Sequence, residues 1–109
     1  ITDLLKSGFD KKIALFFGVR NEEDIFYHDE FSKLAEEYPN FTFIPMLSKP
    51  QAGWTGETGR ITKYIEENSS RFTGYLAYIC GSPEMIKDTR RLLLSKGWGV
   101  RDVKIEIFH

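Results

Sequence analysis

The sequence predicts an α/β fold, a parallel sheet with helices on both of its faces. Three observations carry that expectation. Short apolar runs alternate along the chain with segments whose apolar residues recur at helical spacing. One run, residues 75–80, "YLAYIC", is apolar nearly throughout, the pattern of a central strand buried on both faces. A chain of 109 residues has room for one domain of this strand–helix–strand architecture.

Taken in order, residues 12–18, "KIALFFG", form a short apolar run ending in Gly and predict a buried strand. In residues 24–38, Ile25, Phe26, Phe31, Leu34, Ala35 and Tyr38 share a helical face, and Pro39-Asn40 stops the helix. Residues 41–47, "FTFIPML", predict a second strand. Pro45 has no N–H for a ladder, so this strand belongs at a sheet edge. Residues 48–59 read as a Gly/Pro loop carrying Trp54, and residues 60–68 as a short helix with Ile61, Tyr64 and Ile65 inward. After the 75–80 strand, Pro83 suits the first turn of a helix that runs to about Lys96, where Gly97 breaks it. Ile86, Leu92, Leu93 and Leu94 supply its apolar residues. Residues 103–108, "VKIEIF", alternate and predict a last strand. At the start, residues 1–8, "ITDLLKSG", resemble the last turns of an amphipathic helix stopped by Gly8. Such a tail before the first strand leads us to expect a further element upstream.

Composition narrows the function. Apolar residues at 41% and charged residues at 28% describe an ordinary globular chain. Basic and acidic residues are mixed, with a net charge of −1, so the basic stripe of a nucleic-acid binder is absent. No apolar run approaches the roughly 20 residues of a membrane span. The single cysteine excludes an internal disulfide and suits a reducing compartment, which predicts a cytoplasmic location. His28 and His109 stand at no metal-ligand spacing with Cys80, and no metal site is expected.

In open parallel sheets, ligands sit beyond the carboxyl ends of the strands. Those tips here are Gly18-Val19-Arg20-Asn21, Leu47-Ser48, Cys80-Gly81-Ser82-Pro83 and Phe108-His109. Cys80 could present a thiol beside a reacting centre, with Gly81 admitting a ligand to the backbone and Ser82–Glu84 opening a helix toward it. A buried structural cysteine would read the same way. A nucleophile is not expected: no His is near in sequence, and Arg90 is too distant for a phosphatase-type loop. "GVRNEED" offers acids for a ribose diol and Arg20 for a 2′-phosphate, or simply an acidic helix start. "GWTGETGR" could approach a phosphate but lacks both the Walker and the G-x-G-x-x-G spacing, so a plain loop explains it as well.

Taken together, "FFGVRNEEDIFYHDEF", "WTGETGRITKYI", "YLAYICGSPEM" and the ending "VKIEIFH" resemble the nucleotide-binding domain of the ferredoxin–NADP⁺ reductase-like flavoproteins. The likeness is to oxygenase reductases and to flavin subunits of sodium-pumping NADH:quinone reductases, and it covers essentially the whole chain. It implies a ferredoxin reductase-like sheet of order 3-2-1-4-5 whose first strand, with its Gly-rich turn, is missing from residues 1–109. That strand would lie between "KIALFFG" and "YLAYIC". It further implies binding of NAD(P)H and hydride transfer to FAD or FMN, held mainly by a β-barrel domain that this chain does not contain. An iron–sulfur or other electron acceptor would complete the path.

By the same resemblance, Cys80, Glu106 and Phe108 would lie near the reacting rings. Gly81, Ser82 and Pro83 would shape the nicotinamide wall, and Met85 would line the groove. Gly18, Val19, Arg20 and Asn21 would meet the adenosine half. Glu22, Glu23 and Asp24 lean toward NADH, while Arg20 keeps NADPH open. A flavodoxin- or receiver-like binding module, or a non-catalytic paralogue, remains the alternative, although a receiver's cluster of strand-tip acids with a strand-end Lys is absent. The isolated chain is expected neither to bind flavin nor to oxidise NAD(P)H, and an NADH–ferricyanide assay of residues 1–109 checks this.

Overall fold

The computed structural model describes residues 5–8, 11–19, 28–47 and 57–105, with Val19, His28 and Glu57 described through their backbone. Five parallel strands form one sheet: β1 (Ile13–Val19), β2 (Phe41–Leu47), β3 (Glu57–Thr58), β4 (Leu76–Gly81) and β5 (Val103–Ile105), in spatial order β3-β2-β1-β4-β5. Among the described residues they are accompanied by α1 (His28–Glu37), α2 (Ile61–Asn68) and α3 (Pro83–Ser95), and Leu5-Lys6 is helical as well.

β1 explains the architecture. Its side chains alternate between the faces of the sheet, as the two-residue period of a strand requires. Ile13, Leu15 and Phe17 join Phe31 and Leu34 of α1, together with Leu5, in one core. Ala14 and Phe16 join Ile61 and Ile65 of α2 and Leu93 of α3 in the other. With residues 13–17 all at 1% exposure or less, β1 is sealed on both faces, and so the helices must divide between them. β4 follows the same rule, with Ala77 and Ile79 in the second core and Leu76 and Cys80 in the first.

The aromatic residues find their home in these cores. Phe72 meets Phe16 and Tyr75 edge-on, with centroids 5.3 and 5.2 Å apart. On the other face, Phe43 packs against Phe31 at 5.4 Å. Such pairs add about 0.5–1.5 kcal/mol each beyond the area they bury.

The resemblance places a further strand between "KIALFFG" and "YLAYIC". In this sheet the two are paired directly, from Ile13 opposite Leu76 to Gly18 opposite Gly81. Facing strand edges would otherwise carry rows of unpaired N–H and C=O groups, and direct pairing satisfies them.

Several boundaries differ from the expectation. The loop at 48–59 ends in β3, which pairs Glu57 with Met46 and Thr58 with Leu47. Two residues are too few to show a period, and the backbone of the β2 end decides the matter: Gly59 N–H also donates to Leu47 O at 2.9 Å. β3 begins only after Pro45, so β2 is an outer strand along residues 41–45, where a proline is tolerated. The first expected helix begins within the described residues at His28, and its expected start at residues 24–27, with Ile25 and Phe26, lies outside them. The last strand is described to Ile105. α3 ends one residue before Lys96, whose N–H reaches back to the Leu92 and Leu93 carbonyls, and Gly97 follows at φ 102°, a value suited to glycine.

Two ion pairs, Lys11–Asp102 and Lys96–Glu66, join neighbouring elements at 3.2 and 3.0 Å. Both are solvent-exposed to a degree that limits each to roughly 0–1 kcal/mol. The cores carry the stability. Phe16→Ala should therefore cost about 3–5 kcal/mol, whereas Val100→Ala, at a position 65% exposed, should stay within about 0.5 kcal/mol. Urea denaturation midpoints test both.

Candidate functional site

Strand register brings the site together. β1 sits between β2 and β4, so Gly18 lies opposite Met46 on one side and Gly81 on the other. The chain leaves β4 at Gly81 and enters α3 two residues later, so a helix N-terminus stands at the same sheet edge. The local sequence dictates this. Ser82 is extended and caps the helix, its Oγ accepting from Met85 N–H at 3.2 Å, and Pro83 occupies the first turn. Glu84 adds an acid where the helix dipole favours one. Of the three residues expected to offer amides to a ligand, Ser82 and Glu84 have an N–H to give and Pro83 has none.

The two glycines meet one side chain. A Cβ built on Gly18 would stand 3.0 Å from the Met85 Cε, and one on Gly81 would stand 2.1 Å from it. The Gly81 Cβ would also come within 2.6 Å of the Gly18 carbonyl oxygen. Met85 therefore lays its methyl across the notch that the glycines leave open. Its sulfur accepts a hydrogen bond from Thr89 Oγ1 at 3.1 Å. Thr89 is fully buried, and it is the buried polar side chain among the described residues.

Cys80 is 8% exposed and packs in the core shared with Phe17 and Phe31, while Met85 packs against the opposite core. The thiol and the thioether thus flank the end of β4 from its two faces. Of the other expected site residues, Val19 contributes its backbone opposite Leu47. Arg20, Asn21, Glu106 and Phe108 lie outside the described residues, as do Trp54 and the acids Glu22, Glu23 and Asp24.

Sequence reasoning missed two features. Thr89 was one, and its signal was a hydroxyl inside the stripe Met85, Thr89, Leu93, where the helix face turned to the sheet calls for apolar residues. The other is an open cleft of about 550 Å³ at the ends of β2 and β3, bordered by Thr58, Gly59, Arg60, Lys63 and Arg71. Met46, the register partner of Gly18, contributes to it. The Gly59-Arg60 end of "GWTGETGR" thus adjoins a concavity with three cations and one acid, Glu67; of the cations, Arg71 donates to Tyr64 Oη at 3.4 Å. Among the described residues there is no group of three or more His, Cys, Asp or Glu able to hold a metal ion.

The contacts at the notch make its two glycines unequal. Gly81→Ala collides with backbone as well as with Met85 and should destabilise by about 1–3 kcal/mol. Gly18→Ala meets only a flexible methyl below 3.4 Å and should cost less. Adding Met85→Ala to Gly81→Ala should recover only part of the loss, since the Gly18 carbonyl remains. Thermal melts of the three variants decide it.

The model of the oxidoreductase NAD-binding domain matches residues 1–91. The chain is 37% identical to the phenol hydroxylase P5 protein of Acinetobacter pittii, over 99% of this chain and 31% of that protein. It is 38% identical to a component of the Na⁺-translocating NADH-quinone reductase of Klebsiella pneumoniae, over 87% of this chain and 24% of that component. Among solved structures, the Amycolatopsis cytochrome P450 reductase GcoB superposes with a TM-score of 0.72 at 26% identity, covering 96% of this chain and 31% of that one. The chain thus spans about a third or less of the length of these relatives. Its strand order, its strand-tip glycines and the matched residues lead to one conclusion: the chain belongs to the oxidoreductase NAD-binding domain family.

Proposed function

We propose that this chain is the nucleotide-binding module of an NAD(P)H-dependent flavoprotein reductase, which orients nicotinamide for hydride transfer to a flavin. The observation that carries the reading is the pairing of Gly18 with Gly81 beside the N-terminus of α3, in a chain of this family. With no Cβ on either glycine the Met85 methyl can lie low over the strand tips, leaving the sheet edge open to a flat ligand, and a helix N-terminus favours an anion or a carbonyl there. These features suit a nicotinamide nucleotide. The cations of the neighbouring cleft, Arg60 and Lys63, supply charge for its phosphates.

When bound, the two cofactors supply the redox chemistry, a hydride passing from nicotinamide to flavin. The chain's own contribution is positional. Holding the reacting atoms about 3–3.5 Å apart is the task of the strand tips. In this reading Cys80 packs beside the nicotinamide and polarises that wall, with Gly81, Ser82 and Pro83 shaping it. Gly18, Val19, Arg20 and Asn21 receive the adenosine half. Glu106 and Phe108 would stand near the flavin, and the aromatic ring of Phe108 would cover its face in the absence of nicotinamide. The flavin is held mainly by a barrel domain of the same protein.

The flavin would pass its electrons to an iron–sulfur or other acceptor, a reading supported by the names of the relatives, one from a phenol hydroxylase and one from a quinone reductase. No helix among the described residues is long and apolar enough to cross a membrane. A cytoplasmic site of action is proposed because these residues hold a single cysteine and so no internal disulfide, which suits a reducing compartment.

Stopped-flow mixing of the full-length protein with NADH and with NADPH tests the reading: at least one should bleach the flavin absorbance. Cys80→Ser should slow that reduction about tenfold or more while leaving the melting temperature within a few degrees. An unchanged rate would return Cys80 to a purely structural role.

A further inference from the structure

We draw no further inference here: the strongest candidate, the open cleft at the ends of β2 and β3 with Arg60, Lys63 and Arg71 on its border, belongs to the site already described, since its cations are those proposed to meet the nucleotide phosphates.

Discussion

Direct parallel pairing of β1 with β4 is the constraint on which the rest of this domain depends. Its register sets Phe16 opposite Ile79 and Phe17 opposite Cys80, and continues to the opposed Gly18 and Gly81 at the sheet edge. The apolar contacts and the strand tips of the candidate site are therefore products of one ladder. Slipping that ladder by one residue would exchange the two faces of a strand, placing Phe16 under α1 and Phe17 under α2. The candidate site could not survive such a slip, because Gly18 and Gly81 would no longer face each other. Both cores resist it, since each has a distinct set of aromatic partners.

Much of this fold was legible in the residues. "KIALFFG" and "YLAYIC" announce strands buried on both faces because nearly every position is apolar, and both lie inside the sheet. The α2 and α3 segments show helical stripes, Pro83 marks a helix start, and Gly97 marks its end. β3 was not legible, because a two-residue strand has no periodicity and exists only through the backbone of Met46 and Leu47. The direct meeting of β1 and β4 was not legible either, since strand order is a tertiary property that hydrophobic pattern does not encode.

The candidate site divides along the same line. The motif Cys80-Gly81-Ser82-Pro83 singles out the tip of β4, and the capping geometry at Ser82 follows from residue types alone. What the motif could not say is which face each neighbour occupies. Cys80 belongs to one core and Met85 to the other, and only the pleat of β4 and the entry angle of α3 decide that. Thr89 escaped for a related reason. A threonine in a helix is ordinary by composition, and it becomes informative only when its complete burial and its sulfur partner are known together.

The sealing of β1 on both faces has a consequence for motion. Its amides are shielded by two helical layers and two neighbouring strands, so exposing them to solvent requires the domain to open as a whole. Amide hydrogen exchange along residues 13–17 should then occur at the slow rate of global unfolding. Gly18, the next residue along, shares that rigid backbone while standing at the edge where ligands meet a parallel sheet. The candidate site is thus anchored to a part of the domain that opens slowly. A nucleotide bound there, as proposed, would meet a platform already in place, with no ordering of the strand beneath it required.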